Sequence, residues 1–434
     1  MKPIEIAIIG LGHVGTGVAK LLLEQRERLA RHAGRELRLK RAAVRDPGKR
    51  RAVTLPPGCL VTDLSEIYRD TDVEIGVELV GGISPAREIV LALLESGKDV
   101  VTANKALLAE HGPEIFEKAR ALGRSVAFEA SVGGGIPIVA ALAQGLSANE
   151  IQSISAILNG TSNFILTEMA ETGRSYAEAV FHAQQLGYAE ADPTLDVDGT
   201  DAAHKLAILA QLAFGTPIRV DQIPRRGIDQ LQMADIRYAQ ELGYAIKLLA
   251  TARYQEGAVE LHVAPALVKH HTPLAEVRGA YNAISVVGDA LGDTLYYGLG
   301  AGQMPTASAV VADIIDTAVG RAQITFRSLR LWSDGDGSRI RLRTPEEIHS
   351  RYYLRFAIED RPGVLAQIAG VLGKHQVSIS SVIQHEAEEG HEGNVVPLVI
   401  MTHTGSEAAT RASVDEIDRL AVVRPASMWL RVEG

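Results

Sequence analysis

The chain has 434 residues, of which 46% are hydrophobic and 22% charged, and this composition predicts a soluble globular protein of two or three domains. Its 44 basic and 53 acidic residues give a net charge of -9 without a basic tail, which argues against nucleic acid as a partner. No apolar run reaches the roughly 20 residues that span a bilayer, and the N-terminus leads straight into a strand, so we expect a cytoplasmic protein with no membrane partner. The single cysteine, Cys59, excludes an intrachain disulfide and an all-cysteine metal site.

The first predicted element is a strand that ends in a glycine turn. The apolar run Ile4 to Ile9 is followed by a G-x-G-x-x-G pattern and then by a helical pattern. In such a turn the first glycine permits the tight bend, the second lets the backbone approach a pyrophosphate, and the third lets the helix pack on the strand. The pattern therefore predicts a dinucleotide site, with a chance glycine loop as the alternative. The predicted cofactor contacts in the turn are Gly10, Leu11, Gly12, His13, Val14 and Gly15.

The second predicted strand, Leu37 to Val44, ends beside the expected position of the adenosine ribose. An acid there suits NAD, whereas a cation suits the 2′-phosphate of NADP. The chain offers Arg45 and then Asp46, with further basic residues close behind. We therefore favour NADP, expect NAD to be usable, and keep a solvated surface loop as the alternative.

Two more buried strands are predicted, at Val73 to Val80 and at Asp99 to Thr102. Between them a helix is expected to begin with Ser84 as its N-cap and Pro85 at its first position. The later strand leads into Asn104 and Lys105. Ligands collect at the carboxyl edge of an open parallel sheet, so Lys105 is expected near the nicotinamide unless it is simply solvated.

A further strand, Ser125 to Glu129, ends in an acid and is followed by three consecutive glycines, 133–135. Glycines let a loop turn its carbonyl groups inward. One carboxylate with several carbonyls suits a hard monovalent cation, although the residues alone equally allow a hinge.

From Glu150 the pattern changes to α+β. Strands are expected at Ile151 to Leu158, Tyr244 to Tyr254, Val259 to Val263, Ala283 to Val287 and Leu295 to Tyr297, in a mostly antiparallel sheet. A helix is expected at Tyr176 to Leu186. Gly302 precedes a helix predicted at Thr306 to Val319, where backbone amides can meet the cofactor, and we expect this helix to return to the nucleotide domain.

An acidic loop leading into a helix that carries one lysine occupies Gly187 to Leu209. Asp201 and Lys205 are four residues apart, so they share one helix face with the acid N-terminal to the base. A surface ion pair is the alternative to a functional role.

After a linker predicted at residues 331–350, the pattern describes a small βαββαβ domain. Its strands are expected at Tyr352 to Ile358, Val377 to Gln384, Val395 to Thr402 and Val422 to Val432, with helices ending at His375 and covering Glu407 to Leu420, and a polar turn at Glu386 to Asn394. A packing unit without a ligand is the alternative.

These features resemble bacterial homoserine dehydrogenases with a C-terminal ACT domain, over essentially the whole chain. The motifs that carry the resemblance are GLGHVGTG at 10–17, TANK at 102–105, EASVGGGIP at 129–137, NGTSN at 159–163, GYAEADPTLDVDGTDAAHK at 187–205, and DRPGVL at 360–365. The family has an α/β Rossmann-type nucleotide-binding domain, expected here at residues 1–135. An α+β catalytic and dimerisation domain is expected at 136–330, and a ferredoxin-like ACT regulatory domain at 351–434.

The resemblance implies reversible reduction of L-aspartate 4-semialdehyde to L-homoserine by NAD(P)H. It implies Lys205 as general acid/base, Asp201 as its orienting acid, and Lys105 near substrate and nicotinamide. The implied substrate contacts are Glu190, Lys105, Asp196, Tyr188, Gly160 and Thr161. The implied cofactor contacts include Arg45, Lys105 and Gly302. The implied Na+ or K+ ligands are the Glu129 carboxylate and the carbonyls of Val132, Gly134 and Ile136.

An ACT domain implies an amino-acid effector, and we expect threonine, in a homodimer or homotetramer. Two other classes stay open at this stage. One is a catalytically inactive NAD(P)-binding amino-acid sensor, which the intact lysines and acids disfavour. The other is a hydroxy-acid dehydrogenase, which would need a histidine acid and a substrate arginine that the sequence does not place.

Overall fold

The computed structural model of the chain describes residues 2–329, 340–385 and 395–433. The chain divides into two compact units. The first unit contains Met1–Ile154, Asp201–Ile223 and Tyr281–Ile340, and the second contains Ser155–Thr200, Pro224–Ala280 and Arg341–Gly434. None of the helices in the described ranges combines the length and the apolar composition needed to cross a membrane.

The helices and strands are as follows. The strands are β1 (Ile4–Ile9), β2 (Leu37–Ala43), β3 (Leu60–Val61), β4 (Val73–Glu78), β5 (Asp99–Thr102), β6 (Val126–Ala127), β7 (Ile151–Ile157), β8 (Tyr244–Gln255), β9 (Ala258–Lys269), β10 (Tyr281–Gly288), β11 (Gly292–Leu299), β12 (Arg341–Leu342), β13 (His349–Glu359), β14 (Ile379–Gln384), β15 (Val395–Thr402), β16 (Gly405–Ser406) and β17 (Val423–Glu433). The helices are α1 (His13–Glu24), α2 (Arg26–Ala33), α3 (Ser65–Tyr68), α4 (Ala86–Glu95), α5 (Lys105–Ala121), α6 (Ile138–Ala140), α7 (Gly160–Thr172), α8 (Tyr176–Gln185), α9 (Thr194–Val197), α10 (Thr200–Phe214), α11 (Met233–Glu241), α12 (Gln303–Ala318), α13 (Arg321–Ser328), α14 (Val364–Lys374) and α15 (Glu407–Ile417).

The first unit is built on a six-stranded sheet in the order β3-β2-β1-β4-β5-β6. All five strand pairings are parallel. Every residue of the central strand β1 is buried, as expected for a parallel strand covered on both faces. The Rossmann-type class expected from the glycine turn is confirmed.

Helix α12 packs against α1 in this unit. A Cβ on Gly17 of α1 would lie 2.9 Å from the Gln303 side chain and 3.0 Å from Ala307 Cβ, so the two helices approach closely. Buried residues of α12, including Val310 and Ile314, belong to the hydrophobic core that the sheet and α1 share. Residues 303–318 therefore complete the nucleotide-binding unit, although they lie far from it in the chain.

The second unit contains the long antiparallel hairpin β8/β9, paired from Tyr244↔Lys269 to Gln255↔Ala258. Its C-terminal part is the βαββαβ module, whose four strands lie in the order β17-β13-β15-β14 with antiparallel neighbours. Strand β17 also pairs in parallel with β9 at Arg431↔Ala266, so the module extends the hairpin sheet. The predicted βαββαβ order is therefore confirmed.

Several sequence expectations differ from the structure. Ser84 is not a helix cap: Pro85 holds the N-cap position and α4 begins at Ala86. The proline ring leaves Pro85 without an amide to donate, which suits the position before the helix. Residues 331–339 of the predicted linker and the predicted turn 386–394 lie outside the described residues, and the end of the linker region forms β12, paired with β9.

The two compact units do not coincide with the three predicted domains. Residues 201–223 cluster with the nucleotide sheet, and so does the segment that contains α12, because α12 packs on α1. The βαββαβ module clusters with residues 155–200 and 224–280, because β17 continues the sheet of β9. The predicted domain boundaries stay predictions.

Candidate active site

The glycine turn joins β1 to α1 and leaves the start of the helix open. Gly10 has φ +101°, a conformation that L side chains rarely adopt. A Cβ on Gly15 would lie 2.0 Å from the Gly10 carbonyl oxygen, so only glycine fits there, whereas a Cβ on Gly12 would meet nothing within 4 Å. Gly12 is the N-cap of α1, so this open space lies at the start of the helix, where free backbone amides suit a pyrophosphate.

The turn is held next to the start of α12. Gly302 is the N-cap of α12, and the following residue, Gln303, donates from Nε2 to the His13 carbonyl over 2.9 Å. This bond brings Gly302 beside the predicted cofactor turn within the first unit. Leu11 of the turn is buried, whereas His13 is exposed.

Arg45 follows β2 and is exposed, as a residue that meets a ribose phosphate would be. Its basic neighbour Arg51 is engaged inside the loop, since it donates to the carbonyls of Lys49 and Asp46 over 2.7 Å each. Of the basic run, Arg45 is therefore better placed than Arg51 to meet a 2′-phosphate. The preference for NADP stays a prediction.

Lys105, Asp201 and Lys205 come together around one carboxylate. Lys105 Nζ lies 2.6 Å from Asp201 Oδ1, and Lys205 Nζ lies 2.7 Å from Asp201 Oδ2. Asp201 stands in the first turn of α10 with Lys205 one turn later, which is the favourable order of charges on a helix. Lys105 reaches the same carboxylate from the first residue of α5.

The two lysines differ in exposure, and this difference suggests different roles. Asp201 and Lys205 are 5% and 8% exposed, whereas 42% of the Lys105 side chain is accessible. Burial by itself would raise the pKa of the Asp201 carboxyl, but the ammonium groups of Lys205 and Lys105 outweigh burial and hold that pKa far below its usual range. Asp201 is therefore a permanent anion that orients two cations, which excludes the surface ion pair of the sequence-based alternative.

The turn that carries Lys105 depends on Glu78, a buried acid that sequence reasoning missed. Glu78 Oε1 accepts the amides of Val80 and Gly81, and Oε2 accepts the hydroxyl of Thr102 over 2.7 Å. The Thr102 hydroxyl in turn accepts the Asn104 amide over 3.1 Å, next to Lys105. The available signal was an acid at the end of an apolar strand, where burial demands hydrogen-bond partners.

In the second unit, the NGTSN motif forms the start of α7 and holds the acidic loop. Asn159 is the N-cap of α7, and its Oδ1 accepts the Ser162 amide over 2.8 Å. Its Nδ2 donates to Asp196 Oδ1 over 2.7 Å, and the Ser162 hydroxyl donates to the Asp196 carbonyl over 2.8 Å. Asp196 is thereby fixed beside Gly160, the first residue of α7.

Three further predicted substrate residues lie nearby in the same unit. The Thr161 hydroxyl donates to the Tyr188 carbonyl over 2.7 Å, and the Tyr188 ring packs on Phe164 with 4.8 Å between centroids. Glu190 is exposed, and its own backbone carbonyl accepts a hydrogen bond from Gln184 Nε2. The Glu190 side chain is thus accessible to a small cationic group.

The other two acids of the loop shape its backbone. Asp192 accepts the amide and hydroxyl of Thr194, and Asp198 accepts the amide and hydroxyl of Thr200. These bonds are local caps ahead of α9 and α10. The two acids therefore have a structural role in the loop, and the family resemblance implied no chemical role for either.

A second residue that the sequence did not single out, Lys247 of β8, contacts the NGTSN motif through Asn163. Lys247 Nζ donates to the Val277 carbonyl and lies 3.3 Å from Asn163 Oδ1. Asn163 Nδ2 donates to the Gly279 carbonyl over 2.9 Å. Burial lowers the pKa of Lys247 to about 8.

The predicted cation site lies in the first unit, in the loop from Glu129 to Ile136, which we call the cation loop. Both carboxylate oxygens of Glu129 accept backbone amides, from Val139 over 2.9 Å and from Ala140 over 2.7 Å, and the Glu129 amide donates to Asp313 over 2.8 Å. Burial raises the pKa of Glu129 to about 7, with a smaller contribution from Asp316. Burial and Glu129 also raise the pKa of Asp313 well above its usual value.

The cation loop therefore has a deficit of positive charge. The two acids Glu129 and Asp313, both with raised pKa values, would be stabilised as anions by a bound cation. In the described ranges no group of three or more His, Cys, Asp and Glu side chains could hold a metal ion, so a site here would depend on the carbonyls of Val132, Gly134 and Ile136. The residues present fit a monovalent cation, and the assignment stays a prediction.

Comparisons with known proteins give one consistent result. The family model described as homoserine dehydrogenase matches residues 137–315, the model described as homoserine dehydrogenase, NAD binding domain matches residues 10–129, and the ACT domain model matches residues 352–422. A homoserine dehydrogenase from Pseudomonas aeruginosa is 45% identical over 437 residues, covering 100% of this chain and 99% of the relative.

Solved structures agree. A homoserine dehydrogenase from Thiobacillus denitrificans is 44% identical and superposes with a TM-score of 0.92, covering 100% of this chain and 99% of that chain. A hyperthermophilic archaeal homoserine dehydrogenase in complex with NADPH is 26% identical, with a TM-score of 0.59 over 73% of this chain and 97% of that chain.

Proposed function

The chain belongs to the homoserine dehydrogenase family, and from this premise we propose that it reversibly reduces L-aspartate 4-semialdehyde to L-homoserine at the Lys105, Asp201 and Lys205 cluster. The observation that carries the proposal is the single buried carboxylate that holds two lysine ammonium groups, at 2.6 Å and 2.7 Å. A cluster of this kind provides both an acid and a positive potential at one place.

The chemistry of the cluster follows from these contacts. When bound, a nicotinamide coenzyme supplies or removes the hydride. Reduction of the aldehyde leaves negative charge on oxygen, and Lys205 is proposed to donate a proton to that oxygen. Lys105, which is more exposed, adds positive potential at the developing alkoxide. Asp201 orients both lysines throughout, because it remains ionised across the working pH range.

The amino-acid end of the substrate is proposed to bind through the acidic loop and the start of α7. Glu190 is the proposed partner of the substrate ammonium, since its side chain belongs to an exposed stretch and carries the opposite charge. Asp196, Tyr188, Gly160 and Thr161 are the proposed neighbours, supported by the hydrogen bonds that join Asp196 to Asn159 and Thr161 to Tyr188. Holding that end would position the aldehyde for reaction.

The coenzyme is a nicotinamide dinucleotide, and its pyrophosphate is proposed to bind at the glycine turn, with Gly302 close by. We propose a preference for NADP over NAD, supported by the exposed Arg45. We also propose Na+ or K+ at Glu129, Val132, Gly134 and Ile136, where it would supply positive charge to the loop.

The proposal is tested by following coenzyme absorbance with homoserine and either NADP or NAD, in separate reactions. Homoserine-dependent reduction, with the higher kcat/KM for NADP, is the expected result. A chain that binds NADP but shows no turnover with homoserine would instead be an inactive amino-acid sensor, an alternative that the family comparisons do not support.

Regulation is proposed to act through the ACT module. Threonine is the proposed effector, supported by the DRPGVL turn, where Gly363 with φ +88° is the N-cap of α14. The same assay with added threonine should show reduced turnover. A homodimer or homotetramer and a cytoplasmic location stay predictions.

A further inference from the structure

A cavity of about 400 Å³ lies within the second unit, away from the residues assigned to chemistry. Three parts of the chain form it: the segment Pro224 to Arg226, the β9 residues 262–264, and side chains of α15 and β17. The segment before α11 is held to β9 by hydrogen bonds between Arg226 and Val263 and between Val263 and Pro224, each 2.9 Å long. The volume falls within the range of small-molecule sites.

The charged lining of this cavity is mostly arginine. Trp429 and Arg431 are two residues apart on β17, and Arg411 and Asp415 are four apart on α15, so each pair faces the same side of its element. With Arg225 and Arg226, the cavity has four lining guanidinium groups and one lining carboxylate, Asp415. Burial and Arg431 lower the pKa of the lining His262 to about 4, so this imidazole is neutral at neutral pH.

The carboxylate behind the lining does not balance these charges. Glu407 is shared by two arginines: Arg431 donates to its Oε2 over 2.8 Å, and Arg411 lies 2.6 Å from its Oε1. Glu407 and Asp415 together offset two of the four positive charges. A third carboxylate, Glu260, lies 3.2 Å from the lining His262 and interacts with Arg431, so it offsets part of the remaining charge. A net positive charge still remains at the cavity.

Arg226 carries much of this excess. Its guanidinium lies 4.2 Å from the centre of the Trp429 ring and donates to the Trp429 carbonyl. Neither the ring nor the carbonyl carries a charge. Within the described ranges, no salt bridge joins Arg226 to a carboxylate. Burial, together with repulsion from Arg431 and Arg411, lowers the pKa of Arg226 to about 10.

We propose that this cavity binds a phosphate group, either inorganic phosphate or the head of a small phosphate monoester. Planar guanidinium groups present paired donors that match phosphate oxygens. A monoester carries a charge of about −1.5 to −2 at neutral pH, opposite in sign to the net charge of the cavity. The Trp429 ring already lies under Arg226 and Arg411, so the cavity favours a phosphate head over a flat aromatic group.

The site is independent of the proposed reaction, and it touches the ACT module through α15 and β17. A bound phosphate would join Arg411 of α15 to the segment that carries Arg225 and Arg226, and it would thereby stabilise the packing of the module on β9. Phosphate should therefore raise the melting temperature.

The test is calorimetric titration of inorganic phosphate, and separately of glycerol 3-phosphate, into the full chain saturated with NAD at constant ionic strength. NAD fills the pyrophosphate site and, unlike NADP, carries no phosphate monoester that would compete for the cavity. The variants are Arg411→Gln and Arg225→Gln, both at exposed side chains, and Arg226→Gln at the centre of the cavity. The matched control is Arg419→Gln, an exposed arginine that does not line the cavity.

We expect saturable phosphate binding to the parent and to Arg419→Gln. Binding should weaken about tenfold or more in each cavity variant, as the loss of one charged donor pair predicts. Binding of phosphate alone would identify the free ion as the ligand, and binding of both probes would identify a monoester head. Absence of phosphate binding to the parent, or equal binding in parent and in Arg411→Gln and Arg225→Gln, would overturn the proposal. Since those two side chains are exposed, the test does not depend on Arg226→Gln remaining folded.

Discussion

Asp201 is the residue on which the proposed chemistry depends, because it holds both lysines by one carboxylate. A buried anion between two cations is stable only while all three charges are present. Its depressed pKa means that this contribution to stability is complete above the ordinary aspartate pKa and is lost only as the pH falls well below that range. Asp201 is therefore ionised near neutral pH.

Asp201→Asn should lower kcat by about a hundredfold or more, because a neutral amide no longer orients the Lys205 acid and leaves two ammonium groups facing each other. The rate should also change its dependence on pH, because the variant lacks the carboxylate that stays ionised beside the two lysines. Steady-state rates across pH measure both effects. Asp198→Asn is the matched control, since Asp198 only caps Thr200, and an equally large loss in that control would contradict the assigned role.

Glu129 connects the cation loop to stability. Its pKa in the folded chain, about 7, lies above the ordinary value of 4.5. The stabilisation that protonation gives is complete below the ordinary value and is lost as the pH rises through about 7. Asp313 acts in the same direction.

The melting temperature without Na+ or K+ should therefore fall from about pH 5 to about pH 8, and KCl should restore it more at the higher pH than tetramethylammonium chloride does. Glu129→Gln should reduce this difference between the salts. Scanning fluorimetry gives the measurement, with Glu88→Gln, at an exposed acid of α4, as the control. An equal effect of both salts at every pH would rule out a selective cation site.

At the level of elements, the glycine turn separates a packing role from a binding role. Gly15→Ala should destabilise the chain by roughly 1–3 kcal/mol, because its Cβ would collide with the Gly10 carbonyl at 2.0 Å. Gly12→Ala should fold normally, since its Cβ has open space, but should raise the KM for the coenzyme about tenfold or more. Unfolding curves and coenzyme titrations test the pair, and a normal KM in Gly12→Ala would exclude close approach of a phosphate there.

Strands with strong apolar runs were predictable from the sequence. The bounds of β1, β5 and β15 agree with expectation, because each is a buried run with clear ends. Helices α2 and α11 were missed, because each is short and rich in charge, with no long apolar period. The prediction of Ser84 as the N-cap was wrong, because the residue types near the start of a helix do not show at which residue the helical backbone conformation begins.

For the candidate site, the sequence predicted the types of residue involved and one contact that follows from spacing. The pairing of Asp201 with Lys205 follows from four residues on a helix, and the structure has it at 2.7 Å. The contact of Lys105 with Asp201 could not be derived from spacing, since it joins α5 to α10, which are far apart in the chain. Lys247 was missed for the same reason, because its partners Asn163 and Val277 are distant in the chain. Glu78 has two near partners in Val80 and Gly81, but its link to the turn of Lys105 runs through Thr102, 24 positions away.

For the molecule as a whole, the ACT module is bound into the second unit by buried charges. Arg355 of β13 donates to both oxygens of Asp235 on α11, over 2.6 Å and 3.0 Å, and Tyr353 donates to the same carboxylate. Asp235 is fully buried and lies 120 positions from Arg355. Deletion of the module would remove the hydrogen-bond partners of Asp235 and the pairing of β9 with β17. Because that loss would itself disturb the second unit, point substitutions are the better test of regulation.

Arg355→Met should lower the free energy of unfolding by roughly 3–5 kcal/mol, because it leaves the Asp235 carboxylate buried and unpaired. The double variant Asp235→Leu with Arg355→Met should be less destabilised than the single one. Urea unfolding of the full chain measures both, and Arg351→Met, a partly exposed arginine of the same strand, is the control. A change within about 0.5 kcal/mol in the single variant would show that the pair does not hold the module.

The most direct test of the central claim is the steady-state rate of Lys205→Ala with aspartate 4-semialdehyde and NADPH, beside its affinity for NADPH. The account predicts that kcat falls by about a hundredfold or more while the affinity for NADPH stays close to that of the parent. Lys118→Ala, at a lysine on α5 paired with Glu95, should keep normal values of both. Near-normal turnover of Lys205→Ala would contradict the assignment of Lys205 as the acid of the reaction.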